Sequence, residues 1–289
     1  MSALEAPRSA VVEAVTRALA EDLTPLGDLT SALLPPDLRA VAAFVARSPG
    51  VLAGTACVSE TFAQLDADVQ LGWRAADGDR VVAGTTVATV EGPLASILTG
   101  ERTALNFLGH LSGIATLTAR FVDAAAATGS ARIWDTRKTT PGLRSLEKAA
   151  VRAGGGANHR GNLSDWILLK DNHLALMGIA GAVGAARDRW PARTVHVECD
   201  RLDQVVEALE AGADALLLDN MAPEQVTECV RAADDHAAAT GRRRPLLEVS
   251  GGITLETVAS YAGLGIDCIS VGGLTNSAPV LDIGLDIDP

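Results

Sequence analysis

The lysines of this 289-residue chain are confined to one short segment that is rich in reactive side chains. Only three occur, Lys138, Lys148 and Lys170, and residues 137–170 hold seven Lys+Arg against two Asp+Glu, a formal charge of +5. The whole chain carries −12, so the remainder sums to −17. A local cationic pocket in an acidic protein suits a small, multiply charged anion better than a polymer. Because the pKa of lysine can be tuned, its confinement here indicates chemistry rather than solubility.

This basic segment offers two kinds of cation. Arginine forks bind carboxylates bidentately, whereas lysine serves as a point charge for phosphate or for proton handling. Arg144, Lys148 and Arg152 follow helical spacing and are interpreted as solvated surface charges. Lys170 does not fit that interpretation, since it ends an apolar run. The candidates for anion binding are Arg137, Lys138, His159, Arg160 and Lys170, together with Arg102 at the predicted start of an earlier helix.

Two glycine pairs follow the last two predicted strands, in residues 250–253 and 271–274. Glycine lets backbone N–H groups approach a bound group closely, and a helix beginning behind it adds a positive dipole end. In α/β barrels the loops after the last two strands commonly bind a phosphate. The predicted phosphate-binding residues are Ser250, Gly251, Gly252, Val271, Gly272 and Gly273.

Carboxylates end two other predicted strands, Glu198 in VHVEC and Asp219 in LLLD. Such groups can hold Mg²⁺ or bond sugar hydroxyls, although a capping or salt-bridging role is equally compatible with either residue alone. His196 and Glu198 share one face of their strand because side chains alternate. They could form a metal pair, or His196 could face an apolar layer.

Repeated βα units must position these side chains. From about residue 129 onward, short β-rich runs alternate with helical stretches, and runs such as Ala215–Asp219 are apolar at consecutive positions, as in a parallel strand buried on both faces. Nearly every strand ends in a residue with chemical capability, which favours an α/β barrel over a doubly wound sheet. Only six strands are counted, so the barrel is expected to be incomplete. The predicted strands are Arg132–Asp135, Trp166–Lys170, Thr194–Cys199, Ala215–Asp219, Leu246–Ser250 and Cys268–Gly272, with helices at Arg201–Ala211, Pro223–Thr240 and Leu255–Leu264.

The first part of the chain mixes element types. A helix is predicted over Ser9–Leu23, and glycines interrupt the helical pattern between residues 93 and 128, which we interpret as two helices joined near Ser112–Gly113. The remaining predictions are strands at Val41–Arg47, Val69–Arg74 and Val81–Val90 and a helix at Val58–Leu65.

Bulk composition excludes several classes of protein. A pI near 4.8 argues against general affinity for nucleic acid or membrane surfaces. The four cysteines are widely spaced and are expected to be buried thiols rather than disulfides or zinc ligands. The chain start does not look like a targeting peptide, so a cytoplasmic location is expected.

The motifs resemble those of the quinolinate phosphoribosyltransferase family along essentially the whole chain. They are GERTALNFLGHLSGIAT from Gly100, DTRKTTPGLRSLEKAAVRAGGGANHRGNLSDWILLKDNH from Asp135, and then LLLDNM, SGGI and ISVGGLT. Asn276 departs from the pattern, since the family often has histidine there.

The resemblance implies an N-terminal α/β sandwich at residues 1–112 and an open, incomplete α/β barrel at residues 113–275, with a tail at 276–289 that packs on the first domain. It implies transfer of a phosphoribosyl group from phosphoribosyl pyrophosphate to quinolinate with decarboxylation, in NAD biosynthesis. It also implies a homodimer in which Arg102 reaches the partner's site. Quinolinate would be held by Arg102, Arg137, His159, Arg160 and Lys170, and phosphoribosyl pyrophosphate with Mg²⁺ by Lys138, Glu198, Asp219 and the two glycine loops; Lys138, Lys170, Glu198 and Asp219 would be catalytic.

Three alternatives compete with this interpretation. A Schiff-base aldolase would use Lys170 beside the phosphate site, but it needs fewer guanidinium groups. A related family from molybdenum-transport operons shares the fold and much of the site. The hairpin pattern of residues 77–91 resembles a lipoyl or biotinyl carrier domain, but the first 137 residues contain no lysine to modify, which excludes that class.

Overall fold

The computed structural model describes residues 4–287, which pack into two compact units. One unit contains the chain up to residue 119, residues 138–156 and the chain from residue 273 onward; the other contains residues 120–137 and 157–272. The resemblance places a boundary at residues 112/113 and a tail at 276–289 with the first domain. In the packing units the segment from residue 273 onward and a central segment, residues 138–156, belong with the N-terminal residues, so both units are discontinuous.

The elements alternate between helix and strand through most of the chain. Those of the first half are α1 (Arg8–Leu23), a 3₁₀ turn (Ser31–Leu33), β1 (Arg39–Ala46), β2 (Gly50–Val51), α2 (Thr55–Leu65), β3 (Gln70–Trp73), β4 (Arg80–Val81), β5 (Thr86–Pro93) and α3 (Leu94–Ala126). Those of the second half are β6 (Arg132–Trp134), α4 (Arg144–Ala153), β7 (Ile167–Leu169), α5 (Asp171–Met177), α6 (Ile179–Arg189), β8 (Val195–Cys199), α7 (Leu202–Glu210), β9 (Ala215–Asp219), α8 (Pro223–Thr240), β10 (Leu246–Ser250), α9 (Val258–Ala262), β11 (Cys268–Ser270), α10 (Gly273–Asn276) and β12 (Ile283–Ile287).

An antiparallel sheet of order β12-β1-β5-β3 forms the centre of the first unit. Alternate residues of β1, including Phe44 and Ala46, are buried, as expected for a strand that packs one face on a core. The C-terminal strand β12 pairs with β1, with Gly284 opposite Val45. The prediction of one continuous strand over Val81–Val90 was wrong, because a turn at Gly84 with φ +86° separates β4 from β5.

Helix α3 runs without a break for 33 residues, so the prediction of two helices was wrong. Its glycines serve close packing rather than termination. A Cβ at Gly113 would lie 2.1 Å from the carbonyl oxygen of Pro279, and one at Gly100 would lie 2.7 Å from the Phe62 ring. A side chain at these positions would push neighbouring segments of the first unit away from the helix.

The second unit is built on six parallel strands in the order β6-β11-β10-β9-β8-β7. All six were predicted, and the sheet is open because no pairing joins β6 to β7 in the described part of the chain. Leu216, Leu217 and Leu218 of β9 are all buried, which explains the consecutive apolar run. The prediction of an α/β fold with a separate sheet domain and an open, incomplete barrel is therefore confirmed.

Cys57, Cys199, Cys229 and Cys268 are buried free thiols, as predicted. Among the described residues, no helix has the length and apolar character needed to cross a membrane.

Candidate active site

The carboxyl ends of the six parallel strands bring most of the predicted site residues to one edge of the sheet. Parallel neighbours end at the same edge, and in open α/β sheets and barrels ligands bind there. Arg137 follows β6 and Lys170 follows β7, while Glu198 and Asp219 lie at the ends of β8 and β9. Ser250–Gly252 and Val271–Gly272 follow the paired strands β10 and β11.

Lys170 and Glu198 form an ion pair at this edge. The pairing of β7 with β8 sets Leu169 opposite Val197, so the next residue of each strand comes into reach, and Lys170 Nζ donates to Glu198 Oε2. The side chain of Lys170 is 46% exposed and that of Glu198 is 14% exposed. Lys170 is thus accessible to a ligand while its position is fixed by Glu198.

Arg160 is the most buried arginine or lysine of the predicted set, with 7% of the residue exposed. Burial lowers the pKa of its guanidinium, the nearby charge of Arg137 lowers it further, and the carboxylates of Asp165, Glu248 and Glu198 oppose both effects. Two guanidinium groups therefore lie close enough to repel each other. An anion with two carboxylates would relieve that repulsion.

A buried cluster of His159, His196 and Glu248 lies beside Arg160. His159 Nε2 is 3.2 Å and His196 Nε2 is 3.6 Å from the same oxygen, Glu248 Oε2. Asp135 fixes the backbone of this loop, since it accepts a hydrogen bond of 2.8 Å from the His159 N–H. Trp166 packs against the His159 ring with centroids 4.8 Å apart. The Glu248 carboxylate thus holds the His159 ring by a hydrogen bond and lies near His196 Nε2, which has no hydrogen-bond partner among the described residues.

The charge state of this cluster follows from its burial. Desolvation lowers the pKa of His196 to about 4, so this imidazole is neutral at physiological pH. Burial would raise the pKa of Glu248, but the hydrogen bond from His159 and the proximity of both imidazoles lower it overall. Among the residues that the structure describes, these three form the one group of at least three His, Cys, Asp or Glu side chains whose possible metal-ligand atoms all lie within 4.8 Å of one another. His196 therefore lies beside the Glu248 carboxylate and the His159 ring rather than in a purely apolar layer, and the suggested His196–Glu198 metal pair stays a prediction.

Glu248 is a candidate site residue that none of the sequence motifs indicated. It lies in the centre of the apolar strand Leu246–Ser250 and is fully buried. A single carboxylate inside an otherwise apolar run was the available signal, because such a group is retained only when it is hydrogen-bonded or paired.

The shifted pKa of His196 predicts an acid-sensitive fold. The unfolded chain takes up a proton at this position near pH 6.5 and the folded chain only near pH 4, so acidification through this window favours unfolding. The free energy of unfolding should fall by about 3 kcal/mol from this group between pH 7 and pH 4. Denaturant titrations at several pH values should show a smaller loss in His196→Gln. Equal slopes for the variant and the parent chain would contradict the assignment.

The loop after β10 has a backbone that requires glycine. Gly251 and Gly252 have φ of +92° and +63°, and a Cβ at Gly251 would lie 2.3 Å from Asn220 Oδ1. Ser270 Oγ donates to Ser250 Oγ at 2.9 Å and ties this loop to the neighbouring strand end. The helix predicted over Leu255–Leu264 is shorter in the structure, since α9 begins only at Val258, and α10 begins at Gly273 but has only four residues. Without a long helix directly behind either loop, the donors available to an anion are the backbone N–H groups of the loops themselves.

Three predicted residues, Arg102, Lys138 and Gly273, belong to the other packing unit. Arg102 is exposed and lies well inside α3, so its predicted place at a helix start was wrong. Lys138 is exposed, and its carbonyl accepts a hydrogen bond of 2.7 Å from Thr275 Oγ1. The backbone at Lys138 is thereby fixed within its unit.

The interpretation of Lys148 as a solvated charge was also wrong. Lys148 is only 6% exposed, and its neighbour Glu147 is fully buried. Glu147 accepts hydrogen bonds from the Thr140 N–H at 3.1 Å and pairs with His110 Nε2 at 2.9 Å. Helix α4 therefore buries charged groups, and one of them holds the segment after Lys138 in place. The prediction failed because helical spacing alone does not tell which face of a helix is covered.

Comparison with known proteins gives a consistent result. The family model described as the quinolinate phosphoribosyl transferase N-terminal domain matches residues 28–112, and that of the C-terminal domain matches residues 114–286. Relatives named nicotinate-nucleotide pyrophosphorylase [carboxylating] include one from Mycobacterium leprae, 43% identical over 95% of this chain and 96% of the relative. Another, from Homo sapiens, is 42% identical over 85% of this chain and 82% of the relative.

The fold agrees with solved structures. The nicotinate-nucleotide pyrophosphorylase from Francisella tularensis superimposes with a TM-score of 0.91 and 37% identity, covering 98% of each chain. The two matched domains and the identity to these relatives together establish the family of this chain. The chain belongs to the quinolinate phosphoribosyltransferase family.

Proposed function

We propose that this protein is a decarboxylating quinolinate phosphoribosyltransferase. It transfers the phosphoribosyl group of phosphoribosyl pyrophosphate to quinolinate and gives nicotinate mononucleotide, pyrophosphate and CO₂, a step of NAD biosynthesis. The observation that carries this proposal is the collection of cations, carboxylates and glycine loops at one edge of a single parallel sheet. The names of the relatives support the same reaction.

Quinolinate, a pyridine dicarboxylate, fits the cationic part of that edge. Arg160 and Arg137 supply the guanidinium forks, and Lys170 and His159 complete the binding groups. The Glu248 carboxylate holds the His159 ring, so the ligand meets a prearranged surface. In the homodimer that we propose, Arg102 contributes from the partner subunit, which is consistent with its exposed position on α3.

Phosphoribosyl pyrophosphate fits the neighbouring part. Its 5′-phosphate would accept hydrogen bonds from the backbone of Ser250–Gly252 and Val271–Gly273, while Asp219 and Glu198 lie at adjacent strand ends where they can bond ribose hydroxyls. Lys138 would bind the pyrophosphate, since a compact ammonium suits a phosphate oxygen.

The acidic end of β8 and β9 fits a divalent cation. Glu198 and Asp219 line one cavity of about 390 Å³ together with Asp171, Asp200 and Asp203. One oxygen of Glu198 accepts from Lys170 and one of Asp219 accepts from Asn220; within the described chain the other oxygen of each has no hydrogen-bond donor. Carboxylate oxygens are ligands that Mg²⁺ prefers, so we propose Glu198 and Asp219 as its ligands. A bound Mg²⁺ would neutralise the charge of pyrophosphate.

The reaction follows from the charges that these residues bring together. The bond between ribose C1 and pyrophosphate breaks, with Lys138 stabilising the leaving group, and the pyridine nitrogen forms a bond to the same carbon. The ring nitrogen then carries a positive charge, which stabilises the electron pair left on the adjacent carbon when its carboxylate departs as CO₂. A proton replaces that carboxylate. Arg137 and Arg160 orient the ring so that nitrogen, rather than an oxygen, faces the ribose.

We also propose a cytoplasmic location. The four buried free thiols are consistent with a reducing compartment.

An activity assay tests the proposed function. The purified protein should form nicotinate mononucleotide from quinolinate and phosphoribosyl pyrophosphate, and nicotinate should not replace quinolinate. Failure to turn over quinolinate would overturn the proposal and favour the related family from molybdenum-transport operons. Borohydride trapping with a sugar phosphate provides the control for an aldolase, which would leave a stable adduct on Lys170.

Gly251→Ala should raise KM for phosphoribosyl pyrophosphate by roughly tenfold, because the loop must shift away from Asn220 and its N–H groups then miss the phosphate. Gly241→Ala is the matched control, since Gly241 also has a positive φ, +68°, but no atom lies within 4 Å of the position that a Cβ would take there. Initial-rate kinetics should show a raised KM in the first variant only. Equal KM values in both variants would remove the phosphate assignment of this loop.

A further inference from the structure

A cationic cavity lies at the opposite edge of the same parallel sheet. It has a volume of about 650 Å³ and is bordered by residues next to the first positions of β8, β9 and β10, namely Thr194, Asp214 and Pro245. The strands are five residues long, so this cavity lies about 15 Å from the carboxyl edge that carries Glu198 and Asp219. It shares no residue with the proposed catalytic site.

The charge of this cavity contrasts with that of the chain. One aspartate, Asp214, and five arginines line it, a formal charge of +4 before His236 is counted, whereas the whole chain carries −12. The lining arginines are Arg187, Arg193, Arg242, Arg243 and Arg244.

Three of these arginines are anchored. Arg187 donates to Asp214 Oδ1 at 2.7 Å and to the Gly212 carbonyl at 2.9 Å, and Arg244 donates to Asp267 and to the Gly265 carbonyl. Arg193 donates to the Asp165 carbonyl. These bonds fix the positive wall of the cavity and neutralise Asp214.

The other two arginines have no such partner. Across residues 4–287, no acceptor within hydrogen-bond or ion-pair distance of the Arg242 or Arg243 guanidinium is found, although both border the cavity. Arg242 extends over Gly212, another residue of the lining, since its Nη1 lies 3.8 Å from the position that a Cβ on Gly212 would take. Two guanidinium forks beside a fixed cationic wall offer bidentate sites for phosphate oxygens.

We propose that this amino-edge arginine cavity binds a small oligophosphate, meaning a di- or triphosphate chain that is either free or part of a nucleoside triphosphate. Its volume falls in the range of small-ligand pockets. No aromatic ring other than His236 lines it, so the phosphate chain rather than a base supplies the affinity. A nucleic-acid polymer is disfavoured because the acidic remainder of the chain would repel it. This inference does not depend on the proposed function.

Calorimetric titration of the full chain with inorganic tripolyphosphate tests the inference. The catalytic edge is also expected to bind phosphate groups, so the parent chain should show two binding events. The double variant Arg242→Ala with Arg243→Ala should lose at least about tenfold in affinity for one event and keep the other. Arg8→Ala with Arg231→Ala removes the same net charge from exposed positions outside the cavity and should behave as the parent chain. Unchanged binding by the Arg242/Arg243 variant would overturn the proposal.

Two further arms identify the source of the phosphate. If adenosine triphosphate binds with higher affinity than tripolyphosphate, the ligand is a nucleoside triphosphate. Equal affinities indicate a free oligophosphate as the ligand. Adenosine that binds as well as the triphosphate would contradict an oligophosphate site. Circular dichroism and retained turnover of the double variant, whose arginines lie far from the catalytic edge, show that any loss of binding is local.

Discussion

Arg160→Ala is expected to lower kcat/KM for quinolinate by about thirtyfold to several thousandfold. Truncating one member of a buried, hydrogen-bonded charge pair costs roughly 2–5 kcal/mol, and Arg160 is the buried fork of the proposed dicarboxylate site. The effect should fall mainly on quinolinate, because the glycine loops that we propose as the phosphate site belong to other strand ends. Steady-state kinetics with each substrate varied in turn provides the measurement.

The matched control for Arg160 is Arg231→Ala, which removes an exposed arginine on α8. Surface substitutions of this kind change stability by less than about 0.5 kcal/mol, so its kinetics should equal those of the parent chain. Near-normal kcat/KM in Arg160→Ala would show that quinolinate binds elsewhere. A loss confined to phosphoribosyl pyrophosphate would move Arg160 to the other substrate.

Glu248→Gln is the second substitution with a large expected effect. The amide keeps the volume of the carboxylate but removes the charge that both buried imidazoles face, so His159 loses its orientation and the fold loses about 1–3 kcal/mol. We expect KM for quinolinate to rise at least roughly tenfold, with KM for phosphoribosyl pyrophosphate nearly unchanged. Glu248 is a positioning residue, since it acts through His159.

A double-mutant cycle separates this role from a general loss of stability. In a His159→Ala background, Glu248→Gln should change KM for quinolinate much less than it does in the parent chain, because the group that it positions is gone. Independent effects of the two substitutions on KM would indicate that Glu248 only supports the fold. Denaturant unfolding of each variant shows what fraction is folded under assay conditions.

The sequence revealed the sheet well because its signals are local. Each buried parallel strand is a short apolar run, and residues such as Lys170 and Asp219 stand directly at the end of one. Since parallel strands end at a common edge, these residues could be placed together without knowing the strand order.

What the sequence did not reveal depends on contacts between distant segments. The glycines of α3 resemble helix breaks until Pro279 and Phe62 are seen packed against them. Lys148 has the spacing of a surface charge, yet α4 buries it. The role of Glu248 requires β10 and β8 to lie on either side of β9, so that His196 reaches the same carboxylate oxygen as His159.

A crystal structure of the parent chain soaked with quinolinate would show where this ligand binds. We predict that the ligand lies at the carboxyl edge of the parallel sheet, with its carboxylates bonded to Arg160 and to at least one of Arg137 and Lys170. Quinolinate bound at the amino edge, or bound without contact to any of these three cations, would contradict the account.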